Sequence, residues 1–207
     1  MSETFNNLEG EKQQRILNAA LQEFAEHGFD QASTNRIVKK AGIGKGMLFY
    51  YFKNKQELYR YLVKYSLDVT INRYIKKINE EERDFIERFK HASKMKMQAF
   101  ADHPHVFYFM GALLLSDKDQ LPKELHDEIL KLQTLGNSIL YEDIDYSFFR
   151  TDIDVDKAFK LIRWSMEGYQ NELLNKLKGK PFTSVDMEPY WEEFDEYLEI
   201  LKTSFYK

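Results

Sequence analysis

The stretch with the most chemical content is residues 41–58, AGIGKGMLFYYFKNKQEL. Lys45, Gly46 and Met47 stand in succession, and Tyr50 and Tyr51 follow within a turn and a half of helix. This set suits the edge of a nucleic-acid duplex. A lysine can donate to guanine O6 and N7 or to a phosphate, a glycine lets the backbone come close, and a methionine can meet a thymine methyl. Three aromatic rings in a row cannot all face one small core, so Tyr50 and Tyr51 are expected outside, while Phe49 stays open between packing and DNA. Leu48 and Phe52, four apart, are expected in the core beneath. Lys55, with the free N–H groups of the helix it begins, is expected to clamp a phosphate, and Thr34 beside Ser33 stands similarly at the head of an earlier helix.

Other constellations carry less. His103 and His105 flank Pro104, but no third metal ligand is placed by spacing, so a helix-start loop is the better reading. Asp152, Asp154 and Asp156 alternate as at the start of a calcium loop. Lys157 then occupies the position that needs glycine and Arg163 the one that needs glutamate, which leaves N-capping as their role. There is no cysteine, no G-x-S-x-G, no phosphate-binding glycine loop and no Glu-x-x-His pair. The sequence thus offers no catalytic residue, no metal site and no cofactor, and an all-α enzyme with an aromatic pocket is only a distant rival.

Charge sharpens the first reading. The chain as a whole carries a formal charge of −4, yet residues 31–65 carry eight basic side chains against the single acidic Glu57. A short basic block between acidic flanks is the electrostatic footprint expected of a local nucleic-acid surface.

The elements that must position these residues are helices. Nine glycines and four prolines in 207 residues fall well below ordinary usage of roughly 7% and 5%, too little punctuation for an all-β fold. Apolar residues recur at three- and four-residue steps over 11–27, and Gly28 is expected to end that helix with Phe29 packing back. A short helix from Thr34 to Ala41 closes at Gly42, a third spans 45–52, and a fourth begins after Asn54 and runs to about Ile78. Two short helices across a glycine turn make a helix-turn-helix. Further helices are expected over 83–102, 104–116, 123–141, 156–178 and 188–206, with Pro104, Pro122 and Pro189 at helix starts and loops at 142–155 and 179–187. The expectation is an all-α chain of about nine helices. A helix-turn-helix domain over 1–53 precedes a helical ligand-binding and dimerisation domain over 54–207.

Residues 11–58 resemble the DNA-binding domain of the tetracycline-repressor (TetR) family of bacterial transcription regulators. Thr34, Ala41-Gly42, Lys45-Gly46, Leu48, Phe52, Lys55 and Leu58 match its pattern. Gly44 stands where serine is usual and Phe49 where tyrosine is usual, so two hydroxyl contacts to phosphate are missing. The resemblance implies a homodimeric, ligand-responsive regulator, most simply a repressor released from a near-palindromic operator. It also implies a dimer built on the last two helices and an effector cavity among the middle ones.

The rest of the chain is compatible with that. Ile162, Met166, Gly168, Tyr169 and Leu173 in one helix, and Trp191, Phe194, Leu198 and Leu201 in the last, form apolar stripes expected to pair across a two-fold axis. Tyr65, Phe89, Phe107, Met110, Leu113 and Trp164 are expected to touch the effector, and such a lining favours a small hydrophobic or amphipathic molecule. The first ten residues show no apolar leader and no run approaches about 18 apolar residues, so a cytoplasmic protein without membrane contact is expected. The rival reading is a helical small-molecule-binding protein that does not bind DNA.

Overall fold

The computed structural model describes residues 3–115, 122–177 and 185–207. Among them the chain forms ten α-helices and no β-strand. In order these are α1 (Glu3–Asn6), α2 (Gly10–Gln31), α3 (Thr34–Ala41), α4 (Lys45–Tyr51), α5 (Lys55–Arg73), α6 (Phe85–Asp102), α7 (Pro104–Leu115), α8 (Lys123–Tyr141), α9 (Val155–Lys176) and α10 (Glu188–Phe205). The all-α expectation holds, and α2 to α10 correspond to the nine helices expected. Residues 179–184 of the expected loop lie outside the described residues, as do 116 and 178, the last positions of two expected helices.

Three local differences have physical causes. The added helix α1 exists to seat Phe5, which is fully buried with its ring 4.8 Å from that of Phe52 and 5.4 Å from that of Tyr61. At Gly28 the backbone takes φ 66° as expected, but ψ is 178°, and a last helical stretch resumes to Gln31. Phe29 does pack back, stacking on Phe24 at 6.3 Å. Helix α5 stops five residues short of Ile78 because Tyr74 leaves helical geometry (φ −126°, ψ −69°), and a 3-10 turn over Ile75–Lys77 follows.

The chain divides into two compact units, residues 1–77 with 98–136 and residues 78–97 with 137–207. In the first, α2 packs against α3, α5 and α7 around Ile16, Leu21, Ile37, Leu48, Leu58 and Leu62. The second closes over Phe85, Ile86, Phe149, Ile162, Met166 and Phe194. Its deepest polar group is Arg88, 1% exposed, whose guanidinium is spent on backbone carbonyls: Glu80 at 3.1 Å, Ile139 at 2.9 Å, Glu142 at 2.6 Å and Glu82. A buried cation is tolerated when its donors find acceptors, and here carbonyls accept from all three guanidinium nitrogens. The chain end is tied down by Tyr206, which donates to Asp84 at 2.8 Å.

Candidate functional site

Helix α4 is held from behind and left bare in front. Leu48 and Phe52 are buried as expected and fix its inner face to the core of the first unit. The turn before it is set by Gly42 in the left-handed region (φ 66°, ψ 37°), with Ile43 N–H returning to Val38 O at 3.1 Å and Gly42 N–H to Lys39 O at 3.4 Å. Only glycine takes that conformation without strain, so the angle between α3 and α4 depends on it. Helix α3 is anchored in turn by Glu23 of α2, a buried carboxylate that accepts from Arg36 Nε at 2.8 Å and from the Ser33 N–H at 2.8 Å. Burial pushes the Glu23 carboxyl up, but the Arg36 and Ser33 hydrogen bonds outweigh it and hold the group below its ordinary value.

In front, Gly44, Lys45, Gly46, Met47 (38% exposed) and Tyr50 (72% exposed) face solvent. A Cβ built on Gly44 or Gly46 meets nothing within 4 Å. The chain's own packing does not require either glycine. Phe49 is half-buried, and the Ser33 hydroxyl makes no capping hydrogen bond, which leaves it with the half-buried Thr34 at the head of α3.

Two expectations about this surface need correction. Tyr51 is half-buried, its ring 5.6 Å from Phe5 in an edge contact, because α1 supplies an aromatic neighbour that periodicity did not reveal. Lys55 turns back onto its own unit. Its Nζ donates to the carbonyls of Asp30 at 3.1 Å and Ala32 at 3.2 Å and lies 4.8 Å over the Phe29 ring. It therefore staples the α2–α3 connection to α5, and Asn54 caps the helix start by accepting the Glu57 N–H at 2.8 Å. Much of the basic block is likewise engaged within the chain: Arg36 with Glu23, Lys40 with Gln22, Arg60 with Glu57 at 4.0 Å, and Lys64 with Glu124 at 2.8 Å. Lys39, Lys45 and Lys53 are exposed with no such partner among the described residues.

The expected dimer stripes split. Ile162, Met166, Leu173, Phe194 and Leu198 are buried inside the second unit, so they are core of the protomer and cannot be the surface offered to a partner. The helical stripe was legible, but its covering comes from within the chain. Tyr169, Trp191 and Leu201 are half-buried and Gly168 is exposed. The outward residues are others: Leu161, Trp164 (57% exposed), Tyr197 and Ile200 (61% exposed). Between α9 and α10 runs an open groove of about 440 Å³, lined in part by Trp164, Gly168, Tyr169, Tyr197, Ile200 and Leu201. Steps of three and four from Leu161 through Trp164 to Gly168 could have marked this face.

The expected effector set falls in both compact units. Trp164 lies on the outer face of α9 and is corrected from a pocket residue to a surface one. Phe89 belongs to the core of the second unit, against Phe85 at 6.1 Å. Tyr65, Phe107, Met110 and Leu113 belong to the first, the last two buried and the first two half-buried. Asp154 caps α9 by accepting the Lys157 N–H at 3.1 Å, as expected. His103 and His105 are both held below the ordinary histidine range, first by burial and then by Arg73 and Lys40 respectively. Among the described residues no group of three His, Cys, Asp or Glu is placed to hold a metal ion, and no helix is long and apolar enough to cross a membrane.

Comparison with known proteins bears on both parts of the chain. Residues 16–62 match the family model for bacterial regulatory proteins of the tetR family, and residues 83–205 match that for the tetracyclin repressor-like C-terminal domain. An HTH-type transcriptional regulator of Staphylococcus aureus strain USA300 is 29% identical over 187 aligned positions, covering 80% of this chain and 91% of that protein. Among solved structures, a TetR family transcriptional regulator from Chloroflexus aurantiacus J-10-FL superposes with a TM-score of 0.70 at 22% identity, covering 99% of this chain and 98% of its own. The ketosteroid transcriptional regulator KstR2 of Mycobacterium tuberculosis gives a TM-score of 0.63 at 21% identity and 97% coverage of each.

Proposed function

Since the chain belongs to the TetR family of DNA-binding bacterial transcription regulators, we propose that it is a homodimeric repressor released from DNA by a small hydrophobic or amphipathic effector. Residues 1–53 are the DNA-binding domain in this reading and 54–207 the ligand-binding and dimerisation domain. The observation that carries it is the front of α4, where Lys45, Met47 and Tyr50 stand exposed beside Gly44 and Gly46, which the fold itself does not need. In a dimer, two such helices enter successive major grooves about 34 Å apart, and a near-palindromic operator mirrors the two-fold axis. Lys45 and Met47 read base edges, while Tyr50, Ser33, Thr34 and the free lysines Lys39 and Lys53 meet the sugar-phosphate edge. The groove between α9 and α10 supports self-association. A Cβ on Gly168 meets nothing in the protomer, so its absence serves a second copy.

Binding of an effector in the helical domain over 54–207 shifts the dimer to a form that fits DNA less well. By linkage the effector lowers DNA affinity by the factor by which DNA lowers its own, about 5–150-fold for couplings of about 1–3 kcal/mol. A relative named for ketosteroids is consistent with an apolar ligand. The test is fluorescence anisotropy with DNA from upstream of the protein's own gene and with unrelated DNA of the same length. Saturable, salt-dependent binding that exceeds binding to unrelated DNA by at least about 10³ supports the reading. Equal affinity for both DNAs overturns it in favour of a ligand-binding protein that has left DNA.

A further inference from the structure

Helix α4 is only seven residues long. A helix so short has almost no stability of its own in water, so its pose is inherited from what it packs against. Its first turn follows the Gly42 turn, and its middle is pinned by the buried Leu48. Its last turn leans on a part of the chain that the matched DNA-binding segment does not contain. That segment begins at residue 16, and ahead of it this chain adds α1, whose Phe5 is fully buried. The Phe5 ring meets Tyr51, the last residue of α4, edge-on at 5.6 Å, Phe52 just beyond it at 4.8 Å and Tyr61 of α5 at 5.4 Å. Phe52 and Tyr61 are themselves 5.2 Å apart, so the four rings make one cluster. Two hydrogen bonds hold α1 against it: the Tyr61 hydroxyl donates to Asn6 Oδ1 at 2.8 Å, and Gln13 Nε2 of α2 donates to the Phe5 carbonyl at 3.1 Å. Tyr51 in turn touches Tyr50 edge-on at 5.6 Å, and Tyr50 is the ring offered to solvent.

The first basic side chain of the sequence is Lys12, so α1 adds no attraction for phosphate. What it adds is packing against the end of α4. We propose that Phe5 is a positioning residue of the DNA-reading surface: through Tyr51 it holds the last turn of α4, and with it Tyr50, in the pose that fits a major groove. Aromatic pairs prefer defined edge and offset geometries, so such a contact fixes an orientation as well as filling space. A misplaced recognition helix loses base contacts first, because base edges are read at hydrogen-bond distance, whereas non-specific attraction follows the number of charges. This rests on the reading of α4 as the helix that contacts DNA and adds to it a residue outside the helix-turn-helix.

The experiment is fluorescence anisotropy on the full-length protein with DNA from upstream of its own gene and with unrelated DNA of the same length. It is run at a temperature at which circular dichroism shows each variant to be folded. Phe5→Ala is expected to lower affinity for the upstream DNA about tenfold while affinity for unrelated DNA stays within about twofold. In a Tyr51→Ala background the same change is expected to cost at most about twofold more, because residues that act in series are not additive. A residue that only stabilises the fold lowers the melting temperature and leaves the ratio of the two affinities unchanged, and that outcome overturns the proposal. Full additivity of Phe5→Ala with Tyr51→Ala overturns it as well and leaves α4 as the DNA-contacting helix. Absence of any preference for upstream DNA in the wild-type protein overturns the proposal together with the reading on which it rests. Should Phe5→Ala fail to fold, Phe5→Leu keeps most of the buried volume and is read in the same way. A ratio reduced by at least about threefold then supports the role of Phe5, and an unchanged ratio overturns it.

Discussion

On α4 the outward side chains are Lys45, Met47 and Tyr50, beside Gly44 and Gly46, whereas on α9 and α10 they are Leu161, Trp164, Tyr197 and Ile200. Both surfaces are open and both lie on helices whose opposite sides are locked into a core. Their chemistry differs because the partners they suit differ. A duplex is a hydrated polyanion, so the surface that meets it keeps water, carries charge and offers slender side chains that reach into a groove. A second copy of the same chain is already folded and apolar at that face, so burial of aliphatic and aromatic area is what drives contact. Exposed apolar area of this kind is a liability for a monomer and an asset only when covered.

The largest effect that tests this contrast comes from placing a charge on either side of α10. Phe194→Asp puts an unpaired carboxylate into the core of the second unit, where Phe194 is buried beside Met166 and Ile162. A loss of about 3–5 kcal/mol is expected, enough to unfold the unit, visible as collapse of helical circular dichroism at 37 °C. Ile200→Asp sits on the exposed side of the same helix. It is expected to leave the protomer folded, with an unchanged spectrum, and to shift the sedimentation coefficient from dimer to monomer. If Ile200→Asp remains a dimer, the α9–α10 face is not the interface.

A smaller effect separates two lysines of the basic block. Lys45→Ala is expected to weaken operator binding by about 1–3 kcal/mol in a sequence-dependent way. Lys55→Ala removes the staple to Asp30 and Ala32 and is expected to lower the thermal stability of the first unit while leaving the salt dependence of DNA binding unchanged. A salt slope that falls by about 0.9 in Lys55→Ala instead restores the phosphate clamp. Anisotropy at three salt concentrations and one thermal melt for each variant decide between them.

The same pair shows what can be read without coordinates. Positions of α3, α4, α7 and α10 follow from local rules, because Gly42, Gly44, Pro104 and Pro189 punctuate the chain where a helix must stop or start. The sequence places Lys55 in a first helical turn, yet its ammonium finds carbonyls of a segment more than twenty residues away, and no local pattern encodes that. Likewise the period of α9 marks a buried stripe through Ile162, Met166 and Leu173 but does not say whether the chain itself or a second copy covers it. Phe5 is the extreme case. One ring in a polar segment has no period, and only its fit between Phe52 and Tyr61 makes it core.

The smallest expected effect concerns Gly44, where the family's usual serine is missing. Its backbone is at φ −75°, ψ 147°, an extended geometry that any residue adopts, and it occupies the cap position of α4 without a side-chain hydrogen bond. A serine there fits, since a built Cβ meets no atom within 4 Å. Gly44→Ser adds a hydroxyl that accepts a free N–H of the first turn in the unbound protein, which is worth a few tenths of a kcal/mol over glycine. On DNA the same hydroxyl turns to a phosphate oxygen, so the gain in operator affinity is at most a few-fold and is uniform across sequences, because phosphate contacts position the helix without reading bases. The comparison of faces predicts that the variant leaves dimerisation untouched. Tighter binding confined to particular operator bases instead means that position 44 reads sequence, and the glycine is then a specificity device rather than a lost contact.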